Sequence, residues 1–296
     1  VYKGLEKLIR EIKMVQCVHS VKELREIIKP LKAQGKTVGL VPTMGALHQG
    51  HASLISTSAK ENDITVVSVF VNPTQFGPSE DFDAYPRTLD SDLKVVENAG
   101  GDIVFAPSPK EMYPSEDMTW VEVTGNITKV LCGKTRPIHF RGVATVVSKL
   151  FNIVGPTRAY FGQKDAQQVE VLKRMVKDLF FDLELRVVPI NREDSGLARS
   201  SRNTYLSAEE KAAAVVLSKS LKEALKAFKD GNKDVESLKA LVTDIIKKEP
   251  LSDIEYVECY GLPGLYELDK EVKAPSLLAL AVRFGKTRLI DNIILE

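Results

Sequence analysis

Two histidines stand three residues apart around a glycine, His48 and His51 in the run Leu47-His48-Gln49-Gly50-His51. They follow an apolar run, Thr37 to Val41, that reads as a buried parallel strand, and they precede a segment in which Leu54, Ile55 and Ser58 share one helical face. The pair therefore belongs to a strand-to-helix turn, with His51 opening the helix. Backbone N–H groups at a helix N-terminus lack intrahelical partners and favour an anion. Two imidazoles add side-chain donors there, and Gly50 is expected to leave room for a flat ligand against the backbone. This chemistry suits a phosphate chain. A zinc pair is the alternative, but no third ligand is near in sequence, and Cys17, Cys132 and Cys259 are far apart.

A second cluster, Gly162-Gln163-Lys164-Asp165, puts an ammonium at the start of a helix, where it can neutralise a bound phosphate. Asp165 can accept from a ribose hydroxyl or cap the helix. Of Gln167 and Gln168 on the next turn, one is expected to face the same cleft; a solvated surface is the alternative for both. Arg199-Ser200-Ser201-Arg202-Asn203 offers hydroxyls and guanidinium groups suited to closing over a leaving pyrophosphate, or is an ordinary polar linker. Asn72, Gln75 and Tyr85 are hydrogen-bonding side chains that suit a small hydroxy acid. Arg136, His139 and Arg141 could bind a carboxylate or cap structure. Asp90 and Asp92 could reach Mg²⁺, but a charge pair at a helix N-terminus is the favoured reading.

The elements that must carry these groups follow from the pattern. Ser20 and Glu23 form a capping box that opens an amphipathic helix ending by Gly35. Strands are expected at 64–71, 102–106, 120–124, 159–161 and 183–190, with helices at 88–98, 142–154 and 166–180. Strands alternating with helices imply a parallel sheet covered on both faces, which binds ligands beyond the carboxyl ends of its strands. The histidine turn, the Asn72 loop and the Gly162–Asp165 turn all fall at such ends. After residue 190 the character changes: a polar loop at 191–203, helices at 208–229 and 234–248, and strands at 254–260, 277–284 and 287–295. The expected fold is α/β, a Rossmann-like doubly wound parallel sheet over residues 1–190 followed by a smaller α+β domain, a lid, over 191–296. Residues 1–13 precede Met14 and read as a leader.

The 296 residues are 44% apolar and 27% charged with a net charge of +1, ordinary for a globular protein. That balance gives no broad case for nucleic acid or a membrane surface. No apolar run has the length of a membrane span, no signal peptide is visible, and three widely spaced cysteines speak against a disulfide framework. A cytoplasmic protein is expected.

The histidine pair together with a later Ser-Ser-Arg loop resembles the nucleotidylyl-transferase superfamily. Within it, the chain from 14 to 296 resembles the pantoate–β-alanine ligases through PTMGALHQGH (42–51), FVNPTQFGPSEDFDAYPRT (70–88), LCGKTRPIHFRGVATVV (131–147), YFGQKDAQQ (160–168) and LARSSRN (197–203). The resemblance implies an ATP-dependent, AMP-forming condensation of pantoate with β-alanine through pantoyl-adenylate, with Mg²⁺ and a homodimer. It implies that Met44, Gly45, Ala46, Leu47, His48, Gln49, Gly50 and His51 line the ATP site, with His48 and His51 on the α-phosphate and His51 as proton donor. Gly162, Gln163, Lys164 and Asp165 would also take ATP, joined by Asn191, Arg199, Ser200, Ser201 and Arg202. Gln75 and Gln168 would hold pantoate, with Asn72 and Tyr85 nearby. The chain departs from the family pattern at Ile138, where glycine is common, and at Arg199 and Asn191, where apolar residues are common. Arg199 and Asn191 are expected to meet ATP through backbone. The rivals are an adenylyltransferase that leaves AMP on its product, and a non-catalytic nucleotide-binding module.

Overall fold

The structure, a computed structural model, describes residues 14–78 and 80–296. The expected leader at 1–13 lies outside the described residues. Six strands form a parallel sheet in the order β1-β4-β3-β2-β5-β6: β1 (Gln16–Val18), β2 (Val38–Thr43), β3 (Ile64–Val69), β4 (Ile103–Phe105), β5 (Arg158–Gly162) and β6 (Glu184–Val188). β2 and β3 pair in register from Val38↔Ile64 to Thr43↔Val69. They read as unbroken apolar runs because both faces of a parallel sheet are covered.

Helices α1 (Val21–Ala33), α4 (His139–Val154) and α5 (Ala166–Asp178) cover one face, and α2 (Gln49–Glu61) and α3 (Leu89–Asn98) the other. The Ser20/Glu23 capping box forms as expected, and α2 buries Leu54, Ile55 and Ser58. The strand order runs outward from β2 through β3 and β4, and from β5 through β6 on the other side. The switch point therefore lies between β2 and β5, whose carboxyl ends carry the histidine turn and the Gly162–Asp165 turn.

Two expectations fail for identifiable reasons. Residues 120–124 alternate like a strand but pair with none; Thr145 in α4 instead takes the backbone N–H and C=O of Val121, so a helix side chain replaces the ladder. The helix expected over 208–229 is broken at Ala214 into a short Ala208–Ala213 segment and α6 (Val215–Lys229). β1 has no counterpart in the sequence pattern; three residues are too few for a periodic signal.

Beyond the 191–203 loop, α6 and α7 (Val235–Ile246) pack on an antiparallel sheet of β7 (Ser252–Gly261), β8 (Ser276–Phe284) and β9 (Thr287–Leu295). Their core is separate from that of the large sheet. A third apolar cluster joins the two parts, setting Leu131, Phe140 and Val171 against Tyr260, Leu277 and Ala279.

Candidate active site

The turn after β2 is built almost entirely from its own backbone. Gly45 and Ala46 have positive φ (86° and 51°), which turns the chain sharply before α2. Asp92, in the first turn of α3 and 1% exposed, holds that turn: Oδ1 accepts from Leu47 N–H at 2.8 Å and Oδ2 from Ala46 N–H at 3.1 Å. Thr88 donates a third bond to the same carboxylate. Burial pushes the Asp92 carboxyl up while the two N–H groups act against it. Asp92 sits with Asp90 in the first turn of the helix, as the helix-terminal reading expects, and in addition braces the histidine turn.

His48 is the N-cap of α2 and His51 its third residue, so the helix opens at Gln49 and not at His51. Gly50 N–H donates to His48 Nδ1 at 3.0 Å, and His48 N–H donates to His51 Nδ1 at 3.2 Å. A backbone N–H can only donate, so both Nδ1 atoms are unprotonated. The neutral tautomer left to each ring carries its proton on Nε2. The rings lie 4.2 Å apart. Burial, then Lys164 and Arg199, pulls His48 down to about 4. Burial, then His48 and Lys164, holds His51 well below the usual imidazole range. Two neutral rings, each with an N–H to give, result. Gly50 does not clear space for a ligand as expected: a Cβ there would stand 2.8 Å from His48 Cε1, so the glycine makes room for the imidazole itself.

These histidines open on a cavity of about 190 Å³. Its polar wall carries Met44, Asn72, Gln75, Lys164 and Gln168; its floor is Phe70, Val143, Val146, Val147, Leu150 and Phe161. Sequence reasoning misses the floor residues, although the valine-rich face of 143–147 is legible. Gln75 is placed by Asn72, whose Nδ2 donates to Gln75 Oε1 (3.1 Å) and Gly142 O (3.3 Å) and whose Oδ1 accepts from Tyr113 and Thr74. With its capacity used, Asn72 orients Gln75 from behind and leaves Gln75 Nε2 against only the weak acceptor Met44 Sδ. Gly142 lets the 73–75 turn press onto α4, since a Cβ there would collide with the Thr74 carbonyl. Gln168 faces the cavity, whereas Gln167 is buried and bonds the backbone of Ile127, Val130 and Cys132.

A larger cleft of about 810 Å³ adjoins this cavity, between the main sheet and the C-terminal one. Lys164, Asp165, Gln168, Ser200 and Arg202 line both spaces, as do Arg136 and His139. His139 Nδ1 lies 3.0 Å from Gln75 O; a carbonyl only accepts, so Nδ1 carries the proton and Nε2 is an acceptor. Burial first, then Arg136, pulls His139 down to about 4. Ile138 is the N-cap of α4 and leaves His139 as its first residue. Arg136 is held by Glu80 (2.6 Å), and Arg141 stacks on Trp120 at 4.3 Å, away from the cavities.

The 199–203 segment is ordered by partners from elsewhere. Asp81 takes Arg202 bidentately at 2.8 and 3.1 Å, Tyr85 Oη meets Ser201 Oγ at 3.2 Å, and Ser200 Oγ accepts Arg202 N–H. Tyr85 thus serves the loop as well as the cavity wall. Asn191 and Arg199 line neither space; Arg199 N–H donates to Asn191 O, and the Arg199 Nε is buried without a partner. Gly45, Ala46, Leu47, Gln49, Gly162 and Gln163 shape the turns without lining the cavities.

The same residues do not make a metal site of their own. Among the described residues no group of three or more His, Cys, Asp or Glu is placed to hold an ion. The groups that line both spaces are mostly cationic or neutral, with Asp165, 4.0 Å from Lys164, the carboxylate that faces both. The zinc alternative for His48 and His51 fails because both Nδ1 atoms are occupied and no third ligand joins them. All three cysteines are free thiols, and among the described residues no helix is long and apolar enough to cross a membrane.

Comparison with known proteins gives a consistent set of relatives. The family model described as Pantoate-beta-alanine ligase matches residues 16–294. A pantothenate synthetase of Acetivibrio thermocellus is 56% identical over 95% of this chain and 100% of its own length. That of Clostridium acetobutylicum is 54% identical over 94% and 98%. Among solved structures, pantothenate synthetase from Thermus thermophilus superposes with a TM-score of 0.90 at 42% identity, covering 95% of this chain and 99% of that one. A Francisella tularensis pantoate-beta-alanine ligase, complexed with beta-gamma ATP and beta-alanine, gives 0.78 at 35% identity over 95% and 97%.

Proposed function

This chain belongs to the pantoate–β-alanine ligase family, and from that premise we propose how its own side chains divide the work. The enzyme is an AMP-forming ligase: it condenses pantoate with β-alanine using ATP, through pantoyl-adenylate, to give pantothenate, AMP and pyrophosphate. In the first step a pantoate carboxylate oxygen bonds to the α-phosphorus and the bond to pyrophosphate breaks. In the second the β-alanine nitrogen bonds to the acyl carbon, the bond from that carbon to the AMP oxygen breaks, and the ammonium group gives up two of its three protons to solvent, keeping one as the amide N–H.

The observation that carries the assignment of residues is the paired tautomer: both Nδ1 atoms accept backbone N–H, so both Nε2–H groups remain to donate. His48 and His51 donate to the α-phosphate oxygens, where negative charge builds in the pentacoordinate state; His51 acts as a neutral hydrogen-bond donor, because burial disfavours its imidazolium. Lys164, Ser200, Ser201 and Arg202, with Asp165, handle the triphosphate where the two spaces meet. Met44 meets the nucleotide from the cavity wall, while Gly45 to Leu47, Gln49, Gly50, Gly162 and Gln163 shape the turns that carry the site, and Asn191 and Arg199 stand outside both spaces. Pantoate occupies the smaller cavity, its hydroxyls and carboxylate on Gln75 and Gln168 and its paired methyl groups on the valine floor of α4. Asn72 positions Gln75 from behind, and Tyr85, on the wall of the same cavity, holds Ser201. Mg²⁺ would be carried by the triphosphate, with Asp165, the carboxylate that lines both spaces, the residue to hold it, and would supply charge neutralisation on the phosphates.

We also propose a division into domains 1–190 and 191–296, supported by the two separate cores. A cytoplasmic homodimer is proposed from the family resemblance, supported by the unpaired edge of β6 and the 90% exposed Phe180 beside it. Sedimentation at micromolar concentration tests the dimer.

The function is tested by AMP release from ATP and Mg²⁺ with pantoate alone, β-alanine alone, or both. Sustained AMP is expected only with both acids. AMP release that needs neither, or turnover with a different acid–amine pair, would overturn the substrate assignment.

A further inference from the structure

β9 reads Leu289-Ile290-Asp291-Asn292-Ile293-Ile294-Leu295, an apolar strand interrupted by two adjacent polar residues. Both are 2% exposed. Buried polar groups of this kind persist when they are fully bonded, and these two are. Asn292 Nδ2 donates to Gln163 O and Lys164 O, each at 3.0 Å, and its Oδ1 accepts from Gln163 Nε2 at 3.3 Å. Asp291 takes Arg192 bidentately, at 2.6 Å from Nη1 and 2.9 Å from Nη2, and accepts Asn292 N–H at 2.8 Å. Arg192 in turn donates to Gly196 O and bridges Ala198, just before Arg199.

We propose that Asp291 and Asn292 are positioning residues for adenylate formation, which tie the Lys164 turn and the Ser200–Arg202 segment to one strand of the C-terminal sheet. Three features carry this. The two segments come from opposite sides of the chain's change in character, β5 and the 191–203 loop, and meet on adjacent residues. Two of the three contacts to the Lys164 turn are to backbone carbonyls and the third is to the Gln163 side chain, so they set where the lysine starts without touching its ammonium. The grip on Arg192 is a two-point, charge-assisted fork, the arrangement that fixes direction best. The C-terminal sheet is then part of the nucleotide site's frame and not only a cover over it. The inference rests on the phosphate roles proposed for Lys164 and Arg202.

Asn292→Asp is the first variant to make, because it keeps volume and sets a carboxylate against two carbonyls. Its expected result is a fall in adenylate formation, read as pyrophosphate release from ATP and pantoate, on the order of 10- to 100-fold. The loss should come chiefly through KM for ATP, with KM for pantoate and amide formation from supplied pantoyl-adenylate within about twofold. Arg192→Lys, which keeps the charge and loses the fork, should show the same split at smaller size and stands in where Asn292→Asp folds poorly. Combined with Lys164→Ala, Asn292→Asp should add nothing. Equal losses in both half-reactions, a matching rise in KM for pantoate, or full multiplication of the two single effects would overturn the proposal. Lys164→Ala with unchanged adenylation would instead remove the phosphate role of Lys164, a failure that this variant reads separately.

Discussion

The histidine turn and the 199–203 segment face the same space and are held in opposite ways. The turn is fixed by bonds among residues 46–51, and the carboxylate of Asp92 is the distant group that braces it. The segment is fixed by Asp81 on Arg202, Tyr85 on Ser201 and, through Arg192, by Asp291. A group held by its own backbone keeps its geometry before a ligand arrives, which suits donors aimed at developing charge. A group held by side chains from elsewhere can exchange those partners for phosphate oxygens. From this difference we propose preorganisation for the histidine turn and closure for the 199–203 segment.

The strongest way to break that contrast is His51→Ala, which removes a preorganised donor. Adenylate formation should fall by about 10²- to 10³-fold, measured as pyrophosphate release from ATP and pantoate. A loss below tenfold would mean that His51 does not touch the reacting phosphate. Asp92→Asn comes next. An amide can accept from only one of the two N–H groups while presenting its own N–H to the other, so the turn loses a bond and gains a repulsion. The expected cost is on the order of 10- to 100-fold in adenylation, with amide formation from supplied adenylate nearly unchanged. Rescue of this variant by excess Mg²⁺ would favour the metal reading of Asp92 over the brace.

The same contrast explains what is legible in the sequence. Ser20 and Glu23, the Leu54/Ile55/Ser58 face of α2 and the apolar runs of β2 and β3 are short-range patterns, and each takes its expected form. The histidine turn stands out because its residues are consecutive. Asp81 and Arg202 are 121 residues apart, and Arg192 and Asp291 are 99 apart, so nothing in local spacing links them. Residues 120–124 mislead because alternation measures burial on one side, and Thr145 meets that burial without a second strand. The buried pair Asp291-Asn292 does carry a signal, two polar residues inside an apolar strand, but the strand pattern around it absorbs that signal.

Acid should separate the regions by stability. His48 and His139 are held at about 4 by burial, and unfolded histidine titrates near 6.5. Between those values the unfolded chain binds more protons than the folded one, so stability rises with pH across the window. It is fully present above about pH 6.5 and is lost as pH falls toward 4, by on the order of 1–2 kcal/mol for each histidine at pH 5 after allowance for solvent screening. Urea titrations at pH 7 and pH 5 read this directly; equal midpoints would contradict it. Asp81→Asn acts on the other region. Without its carboxylate Arg202 loses its two-point hold, and KM for ATP should rise several-fold with KM for pantoate unchanged, a smaller effect than at Asp92 because the pair is part-exposed. A tenfold or larger fall in kcat would move Arg202 into the preorganised class.

The smallest effect is expected at Arg199. Its backbone N–H donates to Asn191 O, while its side chain lines neither cavity and buries Nε without a partner. Its charge reaches His48 as one of two cations, beside Lys164, that add to the effect of burial. Arg199→Met keeps the backbone contact and removes an unsatisfied polar atom, whose burial costs about 1–3 kcal/mol where nothing compensates it. Removing the guanidinium also weakens one of the influences holding His48 neutral, so its folded-state pKa rises toward that of an unfolded histidine and the loss of stability in acid should shrink slightly. KM for ATP should stay within about twofold and thermal stability should hold or rise, since the Arg199 side chain lines neither cavity. A tenfold rise in KM for ATP would place the Arg199 side chain on the nucleotide. The 199–203 segment would then be, in part, as fixed before binding as the histidine turn opposite it.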